Sequence, residues 1–141
     1  MLLAFYSAGV AFTRAFVGYA HGIVHALGGL YDIPHGEACA AALPHVLDFY
    51  GKKARRRLAR LADAAGIAME GQTEAEKAQA FVQAVRDLNA RLGLPAGFRC
   101  IKEEDLAEIA ARCLKECNPL YPVPRIMGWE ECVGLAWGMR G

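Results

Sequence analysis

The chain has 141 residues, enough for one domain, and its 55% hydrophobic and 22% charged residues are ordinary for a globular protein. A formal net charge of +1 gives no global reason to expect nucleic acid or an anionic membrane as a partner. Any function must therefore sit in a local site. The five cysteines are odd in number, show no C-x-x-C pairing and follow no secretory leader, which argues against a disulfide framework and for a reducing, cytoplasmic setting.

The opening stretch from Met1 to Val17 is apolar but carries Arg14 and lacks a basic lead-in, so it reads as neither a signal peptide nor a spanning helix. Dense apolar sequence directly after Met1, with no capping residue, suggests a chain that begins inside a larger protein. From Leu3 to about Leu27 the aromatics Phe5, Phe12, Phe16 and Tyr19 keep helical spacings, which predicts one long buried helix stopped by Gly28 and Gly29. After the link Leu30 to Ile33, Pro34 is placed to open a second helix running to about Tyr50, ended by Gly51.

Lys52 to Ala65 predicts a third helix with Leu58, Leu61 and Ala65 on one side, closed by Gly66. Thr73 with Glu76 forms a capping-box pattern for a fourth, whose stripe is Phe81, Val82, Val85, Leu88 and Leu92. A fifth runs from about Lys102 to Glu116 with Leu106, Ile109, Ala110 and Cys113 inward, and a last one from about Trp129 to Trp137. Three prolines between Asn118 and Pro124 require an extended connection before that last helix. With no segment of strand-like alternation, the predicted class is all-α, a bundle-like packing of five to six helices in a single domain.

All four histidines, His21, His25, His35 and His45, fall within 25 residues. His21 and His25 stand at i and i+4, so on a helix both rings leave one face. About 10 Å of helix follows His21 at ~1.5 Å per residue, and a six-residue link spans roughly 20 Å, so a helical hairpin can return His35 to His21. Imidazole pairs suit Zn²⁺ or Fe²⁺. Two do not complete a shell, and Asp32, Glu37, His25 and His45 all stand as third candidates.

The run Gly18-Tyr19-Ala20-His21-Gly22-Ile23-Val24-His25-Ala26-Leu27-Gly28-Gly29, followed by Pro34-His35-Gly36, resembles the signature of the iron-containing (group III) alcohol dehydrogenases. Ala42-Leu43-Pro44-His45-Val46-Leu47 and Asn118-Pro119 resemble two further segments of that family, so the likeness covers nearly the whole chain. It implies the helical C-terminal domain of a dehydroquinate synthase-like enzyme. His21 and His35 would then be metal ligands for Fe²⁺ or Zn²⁺, His25 a proton-relay or positioning residue beside the nicotinamide of NAD or NADP, and Phe12 an aromatic at the cofactor and substrate pocket. The substrate would be a small alcohol or aldehyde.

The likeness also implies parts this chain lacks, namely an N-terminal nucleotide-binding domain and an upstream aspartate and histidine that complete the metal shell. On that reading the chain alone binds metal weakly and is inactive, and the complete protein is a homo-oligomer with no nucleic-acid or membrane partner. Cys39 departs from the pattern, because the family usually has asparagine there. The alternative is a free-standing helical metal-binding or interaction module without catalysis. The basic run from Lys52 to Arg60 is read as a solvated face, His45 as a packed helix residue, and Cys113 and Cys117 as core, with a pocket role for Cys117 as the lesser reading.

Overall fold

The computed structural model describes residues 1–141 and contains seven α-helices and no strand. They are α1 (Leu2–Ala15), α2 (Tyr19–Tyr31), α3 (His35–Tyr50), α4 (Arg55–Ala64), α5 (Glu74–Arg91), α6 (Leu106–Cys117) and α7 (Trp129–Gly138). The class is all-α, as the periodicity predicts. The helix count is higher because the first predicted helix is two.

Phe16 takes a left-handed φ of 62°, and α1 and α2 diverge by 102° at that break. A non-glycine residue in the left-handed region cannot continue a right-handed helix. The expectation of one buried helix fails on a second count, since α1 buries no residue at all. Leu2, Leu3, Phe5, Tyr6 and Phe12 all stand exposed. Apolar composition shows that a face needs cover, and in this chain nothing supplies it. No single helix is long and apolar enough to cross a membrane.

The core is built on α2, which buries Tyr19, Ile23, Val24, Ala26 and Leu27 between α3 and α6. Gly28 and Gly29 lie inside α2 and do not stop it; the helix ends at Asp32, whose left-handed backbone donates its N–H to Gly28 O. Gly22 sets the spacing to α6. A Cβ there would lie 2.3 Å from Cys117 Sγ and 3.1 Å from Cys113 Sγ, so only glycine lets the two helices approach this closely. The buried Tyr19 hydroxyl donates to Asn118 Oδ1 at 2.6 Å and accepts from Met127 N at 2.8 Å, which ties the start of α2 to the Pro-rich connection before α7.

Pro44 lies buried inside α3, where it has no N–H for the Ala40 carbonyl. The side-chain amide of Asn89 on α5 supplies the missing donor, at 2.7 Å. The helix thus continues through its proline because a neighbour satisfies the freed oxygen.

The third predicted helix starts with a 3-10 turn at Gly51–Lys53 and becomes α4 only at Arg55. Its inward residues are Leu58, Ala59 and Ala62, and Leu61 is exposed. In α5 the Thr73–Glu76 capping box forms as the sequence predicts, with Glu76 N donating to Thr73 Oγ1 and Thr73 N to Glu76 Oε2. The stripe is buried only toward its start, at Ala78 and Val82, whereas Leu88 and Leu92 stand in solvent where no element covers them. All four predicted inward residues of α6 are buried, and Cys113, Cys117 and Cys132 are fully inaccessible.

Candidate metal centre

Helical spacing puts His21 and His25 on one face of α2, and the turn through Asp32 and Pro34 aims the start of α3 back along it. His35 is the first residue of α3. Its ring centroid lies 5.4 Å from that of His21 and 5.5 Å from that of His25, and the His21 and His25 rings are 5.8 Å apart. Three imidazoles, the first and last 14 positions apart in sequence, therefore meet at one place.

One turn into α3, Cys39 joins them, with its Sγ 3.4 Å from His35 Nε2. A ring nitrogen of His21, one of His35 and this sulfur all lie within 4.8 Å of one another. The donor set fits a divalent transition metal, because neutral imidazole and thiolate are both good donors to such an ion. Burial, then the neighbouring His35 and His25, hold His21 below the usual histidine range despite the opposing pull of Glu116. A His21 ring kept neutral has a lone pair to give.

His25 is differently placed. Its Nδ1 lies 2.8 Å from Glu116 Oε1 at the end of α6, and the Tyr121 hydroxyl donates to that same oxygen at 2.8 Å. An ionised carboxylate only accepts, so Nδ1 carries the hydrogen and Nε2 is left as the basic nitrogen. The bond to Glu116, followed by desolvation, pushes the Tyr121 hydroxyl up to about 12, so it remains a donor at neutral pH.

A cavity of about 370 Å³ opens beside the cluster, lined by Phe16, His21, Cys39, Leu43, Tyr50 and Val123 among others. Phe12 sits on the exposed α1, outside this cavity. Asp32 serves as the left-handed cap of α2, Glu37 is exposed in the first turn of α3, and His45 lies across the bundle beside Gly138. None of these three joins the group of His21, His35 and Cys39. Cys117 is fully buried under Gly22, which removes the lesser reading of it as a pocket residue.

Sequence reasoning missed Glu116 and Tyr121, which stand 91 and 96 positions from His25 with no pattern linking them. Cys39 carries a signal, being four residues after His35 on one helix face, although the family resemblance marks it only as a departure from the pattern.

The C-terminal model of the Fe-containing alcohol dehydrogenase family matches residues 1–134. Among individual proteins, 1,3-propanediol dehydrogenase of Klebsiella pneumoniae is 36% identical over 130 residues, covering 91% of this chain and 33% of that protein. Lactaldehyde reductase of Escherichia coli is 37% identical over 122 residues, covering 82% of this chain and 31% of that protein. An alcohol dehydrogenase from Oenococcus oeni superposes with a TM-score of 0.86 at 32% identity, over 94% of this chain and 35% of that structure. The chain thus spans about a third of the length of these relatives. It belongs to the iron-containing alcohol dehydrogenase family, and it is the helical C-terminal part of that family that it matches.

Proposed function

We propose that this chain is the metal-holding part of an NAD- or NADP-dependent oxidoreductase that interconverts small alcohols and the corresponding aldehydes. The observation that carries the reading is the meeting of His21 and His35 with His25 beside them, braced by Glu116. His21 and His35 would hold a divalent Fe²⁺ or Zn²⁺, which when bound would supply Lewis acidity toward the substrate oxygen. His25, with Nδ1 committed to Glu116, keeps Nε2 available to take a proton from an alcohol or return it, directly or through water. The cavity beside His21 gives a small substrate its apolar walls, and Phe12 is assigned to the cofactor side of the pocket in the complete protein.

This chain has no strand and so no glycine-rich strand-to-helix turn of the kind that cradles a dinucleotide's phosphates, and His25 and Phe12 are its assigned contacts to the cofactor. The nicotinamide cofactor is therefore assigned to an upstream α/β domain, which brings the remaining metal ligands and makes the assembled, homo-oligomeric, cytoplasmic enzyme competent. Alone, the chain turns over no alcohol.

The test joins the chain to an upstream nucleotide-binding segment and measures metal content together with NAD(P)-linked oxidation of short alcohols and diols. His21→Ala and His35→Ala are expected to empty the joined protein of metal. His25→Ala is expected to keep the metal and lower turnover by roughly 10²- to 10⁴-fold, the usual share of general acid–base catalysis. A joined protein that holds no metal and oxidises none of these alcohols rules the reading out.

A further inference from the structure

We infer that Cys39 Sγ is a third protein ligand, so that His21, His35 and Cys39 form a two-nitrogen, one-sulfur site that takes zinc in preference to iron. The inference rests on the reading that His21 and His35 share one cation, and it adds a donor that the reading does not use.

The geometry is the first argument. Cys39 follows His35 by one turn of α3, so both side chains leave the same face. Metal–nitrogen and metal–sulfur lengths of about 2.1 and 2.3 Å at a tetrahedral angle separate the two donor atoms by about 3.6 Å. The observed Sγ to Nε2 separation is 3.4 Å, and a His21 nitrogen lies within 4.8 Å of both. The Cys39 and His35 donors are thus spaced as ligands of one ion would be, and side-chain rotation brings the His21 nitrogen, within 4.8 Å of both, to the same spacing.

Competition among the neighbours is the second argument. His25, the other imidazole within reach, has its Nδ1 engaged by Glu116 at 2.8 Å and falls outside the group of mutually close donors. The Cys39 sulfur makes no hydrogen bond other than the one to His35. It borders the cavity of about 370 Å³, which leaves room for a fourth, exchangeable ligand beside it. Three donors from this chain leave at least one position on a zinc ion for a ligand from the upstream domain or for the substrate oxygen.

Charge and softness decide the metal. Two neutral imidazoles leave a divalent cation uncompensated, whereas a thiolate removes one unit of that charge. Thiolate is also the softer donor, and among first-row ions it favours zinc over ferrous iron. The chain then binds metal by itself more strongly than two histidines allow, even without ligands from elsewhere.

The experiment is a Co²⁺ titration of the reduced, metal-free chain. The expected result is a thiolate-to-cobalt charge-transfer band in the near ultraviolet, together with visible bands of tetrahedral intensity. Cys39→Ser is expected to remove the ultraviolet band and weaken Zn²⁺ binding at least about tenfold, the smallest loss seen for groups that merely brace a ligand. Cys100→Ser, at an exposed thiol away from the site, is expected to change neither.

Zn²⁺ is further expected to shield Cys39 of the unmutated chain from alkylation, read by peptide mass mapping, so the outcome does not hang on the variant folding. Cobalt that binds in a His21-dependent way with no sulfur band, or a band that persists in Cys39→Ser, overturns the role of Cys39 and leaves the two-imidazole reading standing. Absence of any His21-dependent uptake of cobalt or zinc overturns both.

Discussion

Glu116 Oε1 receives hydrogen bonds from His25 and Tyr121 at once, and the carboxylate's charge is what fixes the hydrogen on His25 Nδ1. Glu116→Gln keeps the size and removes the charge. It is expected to lower the turnover of a joined, metal-loaded protein by about 10- to 100-fold, as for other groups that brace an imidazole, with metal content unchanged. Equal turnover in the two proteins would detach Glu116 from the chemistry.

His21 supports a second prediction. Burial and the two neighbouring imidazoles depress its pKa in the folded chain below the ordinary value of about 6.5. As pH falls through that value, the unfolded chain takes up a proton that the folded chain resists. The stability His21 contributes is therefore whole above about pH 6.5 and is lost as pH drops through the folded value. Glu76, held low by its bonds to Thr73, loses its share only within the carboxylate range, so the two effects separate. Urea midpoints are expected to fall on going from about pH 7 to about pH 5, and to fall less in His21→Gln. Parallel profiles for the two proteins would refute the assignment.

Asn89 offers a test without titration. Asn89→Ala strands the Ala40 carbonyl opposite Pro44, a cost of about 1 to 3 kcal/mol in a urea melt.

Among the elements, the pairing of α2 with α6 is the least forgiving. Gly22→Ala puts a methyl group where Cys117 Sγ already sits, and overpacking of that kind costs about 1 to 3 kcal/mol, measurable as a lowered urea midpoint. A midpoint within error of the unmutated chain would mean that α2 and α6 can part at little cost.

The elements also show where a single sequence informs and where it does not. The α5 start was legible because Thr73 and Glu76 carry their partners within three residues, and the α6 stripe because its four apolar positions share one period. The histidine cluster was legible for the same reason, being local to one helix and the turn after it. The break at Phe16 was not, since no proline marks it and the left-handed φ belongs to an aromatic residue. Nor was the link between α3 and α5. Pro44 reads as a threat to its helix until Asn89, 45 positions later, is seen to answer it. Periodicity reports a helix face, and only packing reports what lies against it.

At the scale of the molecule, the chain spans about a third of the length of its relatives and gathers His21, His35 and Cys39 at its surface. The core beneath this cluster runs through α2, α3, α6 and α7, with α4 paired to α5 and α5 packed against α3. Helix α1 takes no part in it.

That isolation sets the order in which the protein comes apart. A helix of 14 residues with no buried side chain has only its own hydrogen bonds to hold it, and helices of about 12 to 15 residues are marginal in water on those terms. Its amides are expected to exchange with deuterium far faster than those of Tyr19–Tyr31, and a protease is expected to cut near Phe16 and release it. The remnant should keep the urea midpoint of the whole, since the severed arm bore none of the load. Slow exchange across Leu2–Ala15 in the isolated chain would show instead that this arm is anchored by contacts of its own.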